Sequence, residues 1–134
     1  TTLRLKITKD NLSWKFKDNF YIPNEVREIF DRRVSELKKE YEERYIILHK
    51  HTFPGVLERI HQCNIRNYSI FYREGQLFAY FEYVGKDYDA DMHKMAADTV
   101  TQEWWAIMMP MQLPLETRAE GEWWADMEEV FHVD

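Results

Sequence analysis

The sequence predicts an α+β fold, a ferredoxin-like sandwich in which helices pack on an antiparallel sheet. Three observations predict it: a hairpin signature in mid-chain, segments of helical period on either side of it, and extended patterns towards both ends. A chain of 134 residues suits one domain with a modest core, and no linker, repeat or low-complexity stretch divides it.

The elements follow in order. Leu3-Arg4-Leu5-Lys6-Ile7 alternates apolar and polar residues, the period of a half-buried strand. Trp14, Phe16, Phe20 and Ile22 predict a second extended piece over 12–22, between turn-prone Lys9-Asp10-Asn11 and Pro23-Asn24. Two readings stand for 25–48. Val26, Ile29, Phe30, Val34, Leu37, Tyr41, Tyr45 and Leu48 recur at helical spacing, which predicts one long helix. The other reading breaks the run into a short strand over 33–37 and a helix restarting near Lys39. After Pro54, the residues Val56, Leu57 and Ile60 keep helical spacing over 55–63.

Residues 68–71 and 77–84 are rich in β-formers around Glu74-Gly75-Gln76, which predicts the hairpin. Residues 88–97 read as a helix with Tyr88, Met92, Met95 and Ala96 on one face. Thr99 and Gln102 resemble a capping box for a helix to about Met109, stopped by Pro110 and Pro114. A polar loop covers 113–122. Residues 124–133 read as a final strand, on which Glu128 and Glu129 point to opposite faces.

Composition excludes several classes. The net charge is −6 without a Lys/Arg stripe, so there is no footprint for nucleic acid. No apolar run approaches the roughly 20 residues that span a bilayer, and residues 1–6 carry no apolar signal segment. Cys63 is the single cysteine, which rules out an internal disulfide and a CxxC site. These features predict a cytoplasmic protein. Five Trp and eight Tyr predict a large aromatic core, a site for a carbohydrate or other ring, or a subunit interface.

Candidate chemistry is sparse. Tyr45 and His49 are four apart, so a helix sets both on one face, within reach of one ligand. Histidine gives and takes protons near neutral pH; a core Tyr beside a surface His has the same spacing. Trp104 and Trp105 differ in direction by about 100° on a helix, so they cannot share one core centre: either one packs inward while the other lines a cavity, or one is core and the other interface. An indole face suits the C–H face of a sugar, and its N–H donates to a hydroxyl. Trp123-Trp124 fits packing or a subunit contact. His51, His61, His93 and His132 form no metal-binding pattern, and there is no phosphate loop or G-x-S-x-G. Asp87, Asp89 and Asp91 lack a calcium loop and read as a solvated helix start that complements the macrodipole.

From Tyr45 onward the sequence resembles the L-rhamnose mutarotase family. The matching pieces, in the family's order and nearly at its spacing, are Tyr45-x-x-x-His49, Pro54, Asn67-Tyr68-Ser69-Ile70, Trp104-Trp105 and Glu128-Glu129-Val130-Phe131. Tyr83-Val84-Gly85-Lys86-Asp87-Tyr88-x-x-Asp91-Met92 resembles a longer branch of that family. The resemblance implies a dimeric α/β barrel of ferredoxin-like protomers, a homodimer without a cofactor that acts on L-rhamnose or a related 6-deoxy sugar. It implies His49 as the catalytic acid, with Tyr45, Tyr68, Trp104 and Trp105 as sugar-binding residues. It also implies a domain over 31–134, with 1–30 as an extension or additional strands, and it favours the strand reading of 33–37. Two departures stand out. Phe53 occupies the position of a family Trp, so an indole N–H is lost, and 31–37 is unusually polar for a first strand. Two alternatives share the architecture: a cofactor-free monooxygenase-like enzyme and a non-catalytic sugar-binding module.

Overall fold

A computed structural model describes residues 29–133. The strand expected over 3–7, the extended piece over 12–22 and the start of the 25–48 run lie outside the described residues. The remainder runs β1 (Ile29–Leu37), a 3₁₀ turn (Lys39–Tyr41), α1 (Glu42–Lys50), α2 (Pro54–Gln62), β2 (Ile65–Arg73), β3 (Gln76–Tyr83), α3 (Tyr88–Ala96), α4 (Thr99–Met108), a second 3₁₀ turn (Met109–Met111), β4 (Gln112–Leu113) and β5 (Ala125–Asp126). The sheet order is β2-β3-β1-β4, with β5 also paired to β1, and the β1–β3, β2–β3, β1–β4 and β1–β5 pairings are antiparallel. This is the ferredoxin-like arrangement. Among the described residues no helix is long and apolar enough to cross a membrane.

The single long helix over 25–48 does not form. β1 takes residues 29–37 of that run, and the helix begins only at Glu42. The spacing of Val34, Leu37 and Tyr41 imitates a helix, but residues 30–37 alternate between two faces. The register with β3 sets Arg33 opposite Ala79 and Ser35 opposite Leu77, all on the side that carries the helices. Phe30, Arg32, Val34 and Glu36 take the other side. Leu37 and Leu77 then join Val56 of α2 and Trp104 and Met108 of α4 in the core. Burying that apolar area is the main force that joins the layers.

The hairpin turns on two residues. Glu74 (φ 49°) and Gly75 (φ 87°) both adopt left-handed backbone, the geometry of a type I′ turn whose twist matches the strands. The strands run longer than the β-former clusters alone predict. In β2 a bulge lies between Arg66 and Ser69, where Asn67 (φ 49°) and Tyr68 together oppose Phe81. It reverses the faces of the strand: Ile65 points to the helices before it, and Tyr68, Ile70 and Tyr72 do after it.

Three further expectations are corrected. The cap of α4 is Asp98, which accepts from the Thr101 backbone N–H at 3.0 Å and hydroxyl at 2.8 Å; Thr99 is the first helical residue. Asp91 is only partly solvated: its Oδ2 accepts from Tyr83 at 2.6 Å and Asn64 at 2.7 Å. The final strand shrinks to Ala125–Asp126, paired with Arg33–Val34 of β1; one further backbone bond, from Met127 N–H to the Arg32 carbonyl at 3.0 Å, continues it before the ladder ends. Beyond it Glu129 still meets Arg32 at 2.6 Å, while Glu128 is exposed.

Candidate active site

α1 carries Tyr45 and His49 on its inner face, one turn apart. Their rings lie 4.1 Å apart. Trp104 of α4 meets His49 edge-on at 5.3 Å, and Phe53, just before α2, meets Trp104 edge-on at 5.1 Å. Three helices therefore deliver one aromatic cluster around a single imidazole. Arg59 of α2 helps to hold α4 in place, binding the capping Asp98 at 2.9 Å. Trp105 faces the other way and is 38% exposed, against 6% for Trp104.

Backbone fixes the state of His49. Its Nδ1 lies 2.9 Å from the Tyr45 carbonyl oxygen, which can only accept, so Nδ1 carries the proton and Nε2 holds the lone pair of the neutral ring. Burial lowers the His49 pKa below its ordinary value, and the carbonyl contact partly opposes that. Tyr45 is only 3% exposed. Its hydroxyl accepts from Gln112 Nε2 at 3.1 Å, and Gln112 Oε1 accepts from the Trp123 indole at 2.7 Å. Burial, with the nearby Tyr68, raises the Tyr45 pKa, although the Gln112 bond works against it.

Tyr68 reaches the same layer through the bulge, its ring 5.5 Å from that of Phe81. Tyr68 is 45% exposed overall, yet desolvation around its hydroxyl, aided by the Asp31 charge, pushes its pKa up to about 12. Both phenols thus stay protonated across the physiological range and can donate. The structure brings Tyr45, His49 and Trp104 into contact and sets Tyr68 on their side of the sheet. It does not join Trp105 to that cluster.

Sequence reasoning missed Gln112, whose bond to Tyr45 spans 67 residues and leaves no local pattern, and it gave Trp123 a packing or subunit role without its bond to Gln112. Asp31 and Arg33 were missed as well. Their signal was present: charges at alternate positions of a strand whose same face buries Ser35 and Leu37.

The L-rhamnose mutarotase family model matches residues 33–133. The chain belongs to the L-rhamnose mutarotase family. Among solved structures, this mutarotase-family chain is similar to an L-rhamnose mutarotase from Formosa agariphila, with 22% identity, a TM-score of 0.61, and coverage of 79% of this chain and 99% of that one. It is also similar to a NIPSNAP family protein from Agrobacterium tumefaciens, with 15% identity, a TM-score of 0.51, and coverage of 69% and 90%. These likenesses establish the shared fold. A search of the curated proteins found no match.

Proposed function

We propose that this protein is a mutarotase that interconverts the α and β anomers of L-rhamnose or a related 6-deoxy sugar, with His49 as its acid/base. The observation that carries this reading is the contact of His49 with Tyr45 and Trp104, in a chain of the mutarotase family. Mutarotation needs one proton removed from the anomeric hydroxyl and one delivered to the ring oxygen. As the bond between C1 and the ring oxygen breaks, C1 becomes a carbonyl carbon. Closure on the opposite face reverses each transfer.

His49 enters this cycle neutral, with Nε2 free to take the anomeric proton. The imidazolium so formed is the acid, so one residue serves as base and as acid in turn. The acid role implied by the family resemblance becomes the second half of the cycle. Tyr45 and Tyr68 stay protonated and donate to sugar oxygens, while Trp104 walls the site. A positioned acid/base typically supplies roughly 10²–10⁴-fold, enough for a reaction that already proceeds in water.

We place the working unit as a homodimer joined through the sheet face away from the helices. Phe30, Val34, Phe71 and Phe78 lie on that face, and Phe71 is 62% exposed. Polarimetry of a freshly dissolved single anomer tests the reaction. A faster approach to the equilibrium rotation with protein supports it, and the buffer rate for every 6-deoxy sugar overturns it.

A further inference from the structure

Two charged side chains stand on the helix face of β1. Asp31 and Arg33 occupy alternate positions there, followed by buried Ser35 and Leu37. The Asp31 side chain is only 9% exposed. Its Oδ1 accepts from Arg33 Nε at 2.7 Å, and its Oδ2 accepts from the Tyr88 hydroxyl at 3.0 Å. Arg33 Nε also faces Asp126 Oδ1 at 3.3 Å. The register sets Asp31 opposite Phe81, and the Phe81 ring packs against Tyr68. The Asp31 charge helps to raise the Tyr68 pKa, and Tyr68 in turn helps to raise that of Tyr45. The charged pair therefore adjoins the Tyr68 side of the candidate site.

Stability alone is a poor reason for such a pair. Asp31 bears the desolvation cost of a buried carboxylate, while its partner Arg33 is 37% exposed, and a half-exposed ion pair returns little stability. The pair also has capacity left over. Arg33 engages only Nε; among the described residues neither of its terminal NH₂ groups has a partner. Each Asp31 oxygen takes one donor and can accept another. Asp31, Arg33 and Asp126 together carry two negative charges and one positive, which suits a neutral polyol better than an anionic sugar.

We propose that Asp31 and Arg33 are the specificity-determining residues of the sugar site, holding two adjacent ring hydroxyls. The carboxylate accepts from one hydroxyl, and a guanidinium NH₂ donates to the other. Tyr88 is a positioning residue that fixes the Asp31 carboxylate without touching the sugar. This inference rests on the mutarotase reading and extends it to the choice of sugar.

The test measures kcat and KM for anomer exchange on L-rhamnose and its monodeoxy analogues, using wild type, Asp31→Asn and Arg33→Lys. Asp31→Asn keeps the shape and removes the charge. Arg33→Lys keeps the charge and loses the fork. Each variant is expected to raise KM for L-rhamnose roughly 10- to 100-fold, the scale of a charged hydrogen bond, with a much smaller change in kcat. The analogue lacking the hydroxyl held by Asp31 is expected to be poor for wild type, yet nearly as good as L-rhamnose for Asp31→Asn. Wild-type KM values and an unchanged analogue ranking in both variants would overturn the proposal, as would a uniform loss across all analogues accompanied by a lower Tm. A wild type that speeds exchange of no sugar overturns the mutarotase reading itself, and this proposal with it.

Discussion

Tyr45→Phe separates what the buried hydroxyl does for the fold from what it does for the sugar. In the wild type this hydroxyl accepts the Gln112 amide at 3.1 Å, and Gln112, buried in turn, accepts the Trp123 indole at 2.7 Å. The substitution keeps the ring that packs on His49 and strands one amide donor away from water. An orphaned buried donor costs about 1–3 kcal/mol. With a urea slope of about 1.5 kcal/mol per M, the midpoint falls by about 0.7–2 M. Thermal unfolding falls by about 4 °C for each kcal/mol in a domain of this size. Urea titration by tryptophan fluorescence, at one fixed protein concentration, reads the shift directly. A midpoint within 0.2 M of wild type would refute the reasoning, because it would mean that the Gln112 amide has another partner or meets solvent.

Other outcomes follow from the same geometry. Because His49 acts from its neutral form and its pKa is lowered, kcat/KM should rise with pH to a plateau whose midpoint lies below the ordinary value near 6.5; a midpoint above 6.5 would contradict this. The same shift links His49 to stability. Its contribution is intact above about pH 6.5 and is lost as pH falls through the lower folded value, so His49→Gln should be less acid-sensitive in that window, as pH-dependent urea midpoints would show. A Cβ on Gly85 would overlap the Tyr83 hydroxyl and stand 2.8 Å from Asn64 Nδ2, so Gly85→Ala should lose about 1–3 kcal/mol by urea titration. Glu74 sits at φ 49° in a turn that favours Asn-Gly, so Glu74→Asn should stabilise by up to about 1 kcal/mol and raise Tm.

Much of the described fold was legible in local pattern. The hairpin, α2, α3 and α4 carried their own signals, and α1 was visible as the restart near Lys39. β1 was ambiguous because Val34, Leu37 and Tyr41 satisfy a helical spacing while Arg32 and Arg33 blur the alternation of a strand. Only the register against β3 settles which side each residue takes. The bulge at Asn67 was hidden for a related reason. One residue with left-handed backbone re-aims Tyr68, Ile70 and Tyr72, and no periodicity announces it. Asp91 looked like a surface charge because its partners, Asn64 and Tyr83, lie 27 and 8 residues away. Within the candidate site, the Tyr45/His49 pair was readable from a spacing of four. Gln112 and Trp123 join it only through tertiary contacts, which sequence spacing does not encode.

The central claim is that His49 moves a proton to and from a sugar. Saturation-transfer NMR on the anomeric protons of L-rhamnose tests it most directly, comparing buffer, wild type and His49→Ala at equal concentration. The account predicts that saturation of one anomer passes to the other faster with wild type, and at close to the buffer rate with a folded His49→Ala protein. Exchange at the wild-type rate in that variant, or no acceleration by wild type, would contradict it.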